Sequence, residues 1–425
     1  MGKHFVQAVI FDGALQKIFL FSQGSEKIAG CLLGRFLDEG DVVQVVDVNT
    51  RNCSESLVLD KDRRVTRTGI QLETVGAWFY GFRSDEFPLK RAIQAATKLE
   101  GRLNQNNQTP LILTLEGNES NYRIECHSFK EKQKPVKIDF EVANLKQRLF
   151  KRIGKIVGVS HLATKTVAIV GLGSGGSRVA IELAKCGVGT LKLVDYDRIE
   201  VENLARHICG IFDIGRLKTR VVRDLVLEHN PLTNVEIYNI NVLESQDKFS
   251  QIIKESDAVV AATGSPVVNN LTNELCLSYK VSAIYAGAWE RAMAGYVMRV
   301  IPGETPCFNC VHEVLLKTAP PLDQERIIDY SIVSDPNELK AEPGLSIDVG
   351  MITLLQAKLT LLTLLRGVTS GLEDIPQNYI LWLNKSYDRF KSLTCLKLHT
   401  HRKEDCSVCN YDNWLKKKEE KLKSG

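Results

Sequence analysis

No segment of this 425-residue chain supplies roughly 18 uninterrupted apolar residues, the length a membrane-crossing helix requires. The richest run, Ile347 to Leu365, is broken by Asp348, Gln356 and Lys358, so no membrane association is expected. Charge of one sign is missing as well. Fifty-five basic residues against 51 acidic ones leave a net +4, and so close a balance gives no electrostatic reason to expect a nucleic-acid partner. The N-terminal residues carry no sustained apolar run ahead of a cleavage site, and the chain shows no internal repeat. Apolar residues at 44% and charged residues at 25% are ordinary for a packed globular protein. That excludes disorder, collagen and coiled coil as descriptions of the whole. Cysteine, by contrast, is plentiful. Its eleven residues are an odd number spread through a long chain, which excludes complete internal pairing and does not resemble a small disulfide scaffold. A reducing cytoplasm is the expected home for the unpaired thiols.

At roughly 150 residues per domain the length predicts two to three domains. Residues 1–135 alternate strand-like runs (Phe5 to Phe11, Asp41 to Val48, Val75 to Tyr80, Leu111 to Glu116) with turns and one helical pattern, Leu89 to Leu103. This reads as an α+β module. Lys130 to Val136 is polar and carries a proline, and Glu141 to Ile156 reads as a basic amphipathic helix, so residues 136–160 are expected to form a linker and helix. From Lys165 the pattern changes. Strand-like Val167 to Val170, Thr190 to Val194, Val235 to Ile237, Ala258 to Ala262 and Ser282 to Ala286 alternate with helical stretches such as Ser177 to Lys185 and Leu217 to His229. That rhythm predicts an α/β, Rossmann-like domain over residues 161–415, with a mostly parallel sheet. Residues 416–425 read as a charged, frayed tail.

The first of those strands runs into Gly171-Leu-Gly173-Ser174-Gly175-Gly176-Ser177. The spacing of Gly171, Gly173 and Gly176 is G-x-G-x-x-G at a strand-to-helix turn, which removes Cβ atoms where backbone must approach phosphate. Asp195 ends the next strand, where a carboxylate meets a ribose hydroxyl in such folds. After it come Asp197, Asn203, Arg206 and Lys218. A dinucleotide dehydrogenase has no need of an amide and two cations there, but a triphosphate does. Arg206 and Lys218 would neutralise charge on the α-phosphate and on departing pyrophosphate, and Asn203 would orient a phosphate or ribose oxygen. Cys307-Phe-Asn-Cys310 and Cys406-Ser-Val-Cys409 form two C-x-x-C pairs, a spacing that suits one tetrahedral structural Zn²⁺ tying the C-terminal region back onto the domain.

Taken in order, the glycine loop, D-x-D-x-V-x-x-x-N-L-x-R, G-x-x-K and N-P resemble the ThiF/MoeB superfamily, which includes the ubiquitin-activating enzymes. Asp195, Asp197, Asn203, Leu204, Arg206, Gly215, Lys218, Asn230 and Pro231 fill that pattern, with Ile199 at the valine position. The resemblance spans about Arg148 to Cys409, and Pro306 before Cys307 is similar to the family's P-C-x-x-C. It implies that ATP and Mg²⁺ are used to adenylate the C-terminal glycine of a ubiquitin-like or sulfur-carrier protein. It further implies a homodimer in which an arginine reaches the partner's phosphates, here Arg148 or alternatively Arg152, and onward transfer to a conjugating enzyme. Two departures matter. The family's magnesium-binding aspartate falls at Gly264, so that ligand is either missing or supplied elsewhere, with Asp197 the candidate substitute. The crossover segment Val311 to Asp348, where a thioester-forming cysteine is usual, contains none, while Cys186 and Cys209 read as core thiols.

In the first module, Val75-Gly76-Ala77-Trp78-Phe79-Tyr80-Gly81 is faintly similar to the V-G-x-W-H-x-H segment of JAB/MPN metalloproteases, with Phe79 and Gly81 in place of both histidines. That implies a non-catalytic relative. The fused module favours a bacterial conjugation or anti-phage (antiviral defence) system over sulfur-carrier adenylation in cofactor biosynthesis. A pseudoenzyme scaffold that only binds a ubiquitin-like protein is the alternative from a different class.

Overall fold

The computed structural model describes residues 8–22, 28–37, 42–50, 64–65, 71–80, 111–118, 121–128, 136–311, 344–387 and 389–410. The chain divides into two compact units, Met1–Leu149 and Phe150–Gly425. The helical pattern at Leu89 to Leu103, the crossover stretch from Lys317 to 343 and the charged tail lie outside the described residues.

The first unit is a nine-stranded mixed sheet with one described long helix. Its strands are β1 (Ala8–Phe11), β2 (Ile28–Leu37), β3 (Val42–Thr50), β4 (Arg64–Val65), β5 (Gln71–Tyr80), β6 (Leu111–Asn118), β7 (Asn121–Ser128), β8 (Val136–Lys137) and β9 (Phe140–Ala143). They lie in the order β8-β7-β6-β5-β2-β3-β1-β9, with β4 on β5. Helix α1 (Asp12–Ser22) sets Ala14, Leu15 and Ile18 into a core with Leu32, Val45, Trp78 and Leu113. Residues 136–143 are therefore sheet rather than linker, because β9 completes the edge beside β1 and Ile138 is buried. The helix expected over 141–156 shrinks to one turn, α2 (Leu145–Arg148). Its first residues are claimed by strand pairing, and the stretch after it forms turns.

The second unit opens with a helical turn, α3 (Val159–Leu162), and then lays down β10 (Thr166–Val170), α4 (Ser174–Lys185), β11 (Thr190–Val194), α5 (Lys218–His229), β12 (Asn234–Tyr238), α6 (Gln246–Lys254), β13 (Ala258–Ala261), α7 (Pro266–Tyr279) and β14 (Ser282–Ala288). After these come β15 (Ala294–Val300), α8 (Ser346–Leu364), β16 (Tyr379–Leu383) and β17 (Thr394–Leu398). The sheet order is β12-β11-β10-β13-β14-β15-β16-β17. Pairing is parallel from β12 to β14 and antiparallel from β14 to β17. The order in which the chain lays down its strands reverses between β10 and β13, and ligands of such sheets bind in the crevice at that point.

Both faces of the sheet are covered, which is why its strands read as continuous apolar runs. Val167 and Ile169 point into a core with Val179 of α4, Val222 of α5 and Leu359 of α8. Their neighbours Ala168 and Val170 point the other way, into a core with Phe249 of α6, Val268 of α7, Phe308 and Cys307. Helix α8 has the length and composition of a membrane span, yet it packs against α4, β14 and β15 as the central helix of the unit. Its apolar character follows from having protein on several sides.

A buried amide fixes the spacing of α4 and α5. Asn230, 2% exposed, donates from Nδ2 to the Ala184 carbonyl and to Thr233 Oγ1, both at 2.8 Å, and accepts from the Leu232 N–H. Asn230→Ala leaves those buried groups without partners and is expected to cost about 2–4 kcal/mol. A loss of unfolding free energy in urea of less than a quarter of that would show that the amide is dispensable.

Candidate active site

The crevice at the reversal between β10 and β13 is a cleft of about 490 Å³, lined by residues 173–175 of the glycine loop, 262–264 after β13, 286–289 at the end of β14, and Val349, Ile352, Thr353 and Gln356 of α8. Asp197, Asn203, Arg206, His207 and Lys218 complete it.

Backbone geometry shows why this loop must be glycine. Gly171 has φ +87°, and a Cβ there would sit 2.9 Å from the Ala262 backbone. A Cβ on Gly176 would meet the Gly171 carbonyl at 1.9 Å, so α4 could not start where it does. At Gly173 nothing lies within 4 Å of the Cβ position, which leaves the N-terminus of a 12-residue helix open to a ligand. Such an opening favours an anion.

The peptide unit of Leu172 is held from both sides. Its N–H donates to Asp195 Oδ2 at 2.6 Å, and its carbonyl lies 2.8 Å from His207 Nε2. The other Asp195 oxygen accepts the Asp197 N–H at 2.8 Å. Asp195 thus braces the loop and is set back from the cleft-lining residues; a carboxylate with about four lone-pair sites keeps capacity for a hydroxyl. His207 Nδ1 accepts the Cys209 N–H at 3.0 Å, which makes Nε2 the protonated nitrogen donating to Leu172.

The cations follow from this brace. Lys218 begins α5, its N–H donating to the Asp197 carbonyl and its Nζ pairing with Asp197 Oδ2 at 2.8 Å. Arg216, paired with Asp213 and with buried Asp224, anchors the turn that delivers it. Asn203 closes a short helical turn, its Oδ1 accepting from the Glu200 N–H, so any contact from this amide to an anion falls to the Nδ2 donor. Glycine-loop N–H groups, an amide and two cations in one concavity suit an anion with several phosphates.

The cleft therefore gathers Gly173, Ser174, Asp197, Asn203, Arg206 and Lys218, with Gly171, Gly176 and Asp195 supporting it from behind. Arg148 is exposed in the first unit and pairs with Glu141; Arg152 is exposed in the second. Gly264 lines the cleft at φ +71° with no atom near its Cβ position. Among the described residues Asp197 is the one carboxylate in the lining. His207, Trp289, Thr353 and Gln356 were not foreseen. The histidine had a signal, standing directly after Arg206, whereas the α8 residues belong to a helix whose sequence shows only apolarity.

The second cluster is the four cysteines. Cys307, Cys310, Cys406 and Cys409 place their sulfurs within 4.8 Å of one another, with three pairs at 3.4–3.8 Å. Four thiolates on one zinc at about 2.3 Å require sulfur separations of about 3.8 Å, so the donor set fits that ion. The Lys403 N–H also points at Cys310 Sγ, at 3.4 Å. Elsewhere, burial raises the Cys186 and Cys209 thiols, which disfavours either as a nucleophile.

Burial pushes the His207 imidazole below its ordinary value of 6.5, against the pull of the Leu172 carbonyl. The folded protein therefore refuses a proton that the unfolded chain accepts. This stability term is intact above the ordinary histidine range and is lost as pH falls through it towards the folded value. The urea midpoint should drop between about pH 7.5 and 5.5, and His207→Gln should shrink that drop. An identical pH profile in the variant would remove His207 from the account.

A family model described as "ThiF family" matches residues 145–408. "Ubiquitin-like modifier-activating enzyme 5" of Caenorhabditis elegans is 31% identical over 193 residues, covering 42% of this chain and 46% of that protein. The Caenorhabditis briggsae protein of the same name is 28% identical over 218 residues, covering 49% and 50%. The chain thus spans about half the length of the curated relatives it matches. Among solved structures, E. coli MccB with ATP aligns at a TM-score of 0.46 and 22% identity, over 59% of this chain and 68% of that one. The microcin C7 biosynthetic enzyme MccB in complex with N-formylated MccA aligns at 0.46 and 23%, over 59% and 69%. The family match extends over more than half of the residues, and the chain belongs to the ThiF family.

Proposed function

We propose that the second unit is an ATP-dependent adenylyltransferase acting on the C-terminal glycine carboxylate of a ubiquitin-like protein. The observation that carries this reading is the convergence of the glycine loop, Asn203, Arg206 and Lys218 on one cleft whose far wall is built from the small residues 286–288. The names of the relatives support the choice of substrate. A sulfur-carrier protein ending in glycine presents the same carboxylate.

In this reading a tail carboxylate oxygen attacks the α-phosphorus of ATP. The new bond is carboxyl oxygen to phosphorus, the bond that breaks joins the α-phosphorus to the bridging oxygen, and pyrophosphate leaves with that electron pair. No proton is transferred, so the protein's task is positioning and charge stabilisation. Arg206 and Lys218 oppose the charge that gathers on the phosphates, Asn203 holds an oxygen, and Asp195 takes the ribose. Lys218 has three donors and gives one to Asp197, so phosphates compete for the rest. Mg²⁺ would be held by Asp197 together with phosphate oxygens and water, a donor set that this ion accepts, and would offset charge between the phosphates.

An apolar surface sits on the segment that carries Arg206. Val201 and Ile211 are exposed and Phe212 is 96% exposed, which favours cover by a second copy of the chain. A scaffold that binds ATP without turnover is the second reading, favoured by the absence of a carboxylate at Gly264.

With a glycine-tailed partner, the protein should catalyse exchange of labelled pyrophosphate into ATP, and Arg206→Ala should lower the rate by ~10² or more. Nucleotide binding with no exchange would move the protein to the scaffold reading. For the four cysteines we propose a structural zinc. Metal analysis should find about one equivalent per chain, and less than half of that would count against it.

A further inference from the structure

Gln356 combines two properties that seldom occur together. It lines the cleft, and it is only 1% exposed. Its Nε2 donates to the carbonyls of Ala261 and Ile284, each at 3.0 Å, which uses both hydrogens and settles which end of the amide is which. The remaining polar atom, Oε1, is equally buried and has no hydrogen-bond partner. Buried side-chain acceptors nearly always have a donor. Here the rest of the amide is pinned by two carbonyls, and the cleft that Gln356 lines is the side from which a ligand's donor can come.

Topology says which part of a ligand that is. Asp195 ends β11, on one side of β10 and its glycine loop, whereas Ala261 ends β13 and Ile284 lies in β14, on the other side. Thr353, one helical turn from Gln356, approaches the Cβ position of Gly175 at 3.0 Å, so Gln356 sits close behind the phosphate loop. A nucleotide with its ribose at Asp195 and its phosphates on the loop leaves the β13–β14 side to the group that attacks the α-phosphorus. Ala286, Gly287 and Ala288 continue from Ile284 along that wall. The acceptor is also a neutral amide. A carboxylate in its place would repel both the incoming carboxylate and the phosphates.

We infer that Gln356 Oε1 accepts a hydrogen bond from the amide N–H of the substrate's terminal residue and so aims the adjoining carboxylate at the α-phosphorus. This rests on the adenylation reading of the cleft. Gln356 selects for a peptide N–H one residue from the reacting carboxyl, and through the two carbonyls it grips it also sets the spacing of β13 and β14.

Two stable mimics of the acyl-adenylate test it: sulfamoyladenosine acylated with N-acetylglycine, which carries the N–H, and its counterpart acylated with O-acetylglycolate, which has an ester oxygen there. The native protein should bind the amide about 10-fold more tightly than the ester, and Gln356→Met should bind the two alike. In native protein, where no variant has to fold, the side-chain carbonyl carbon-13 resonance of Gln356 should move with the amide ligand and stay with the ester. Equal affinities in the native protein, or the same preference in Gln356→Met, would overturn the assignment while leaving adenylation standing. Failure of both mimics to bind would instead remove the adenylation reading, and this inference with it.

Discussion

The peptide unit of Leu172 is the joint on which the site turns. Its N–H belongs to Asp195 and its carbonyl to His207, so both ends of one residue in the glycine loop are held by the segment that follows β11. Because the same Asp195 carboxylate takes the Asp197 N–H, and Asp197 in turn holds Lys218, a single chain of contacts sets the distance between loop and cation. Without that joint the loop would still bend, since Gly171 and Gly176 dictate its path. The cations, however, would have no fixed relation to it. Catalysis by charge stabilisation depends on that relation, because donors that must reorganise lose much of their advantage.

The joint also explains why the site tolerates like charges in the absence of a ligand. Lys218 is paired with Asp197, Arg216 with Asp213 and Asp224, and the histidine is kept neutral by burial. In the proposed reaction a polyphosphate would exchange one partner of Lys218, a cation already positioned by Asp197, rather than order a loose side chain. On the far wall the constraint is different. There Gln356 reaches from α8 to the carbonyls of Ala261 and Ile284, so the central helix is tied to the strands that border the cleft as well as packed on them.

Much of this was readable in the sequence where local chemistry dictates structure. Strand-to-helix glycines, an acid at a strand end, and Asn203, Arg206 and Lys218 at fixed offsets are contiguous signals, and the parallel half of the sheet followed from runs buried on both faces. Cysteine pairs a hundred residues apart were equally legible, since their spacing is a property of the metal they suit. What could not be read depends on long-range pairing. β15, β16 and β17 give no distinctive period, and the pairing of β15 with β16 across the crossover segment and α8 is chosen by tertiary contacts. The helical pattern from Glu141 to Ile156 begins inside the strand Phe140–Ala143, whose partner Ala8–Phe11 lies more than 120 residues away in the chain. Gln356 was seen only as an interruption of an apolar run. Its two carbonyl partners lie 95 and 72 residues distant, and no pattern along α8 announces them.

In the proposed reaction the cleft brings a carboxylate to the α-phosphorus of ATP. Oxygen-18 placed in the terminal carboxylate of a glycine-tailed partner, followed through turnover and hydrolysis of the adenylate, reads the bond directly. The label should appear in AMP, carried across by the oxygen that attacked phosphorus. Label in orthophosphate alongside ADP would place the attack on the γ-phosphorus and contradict it.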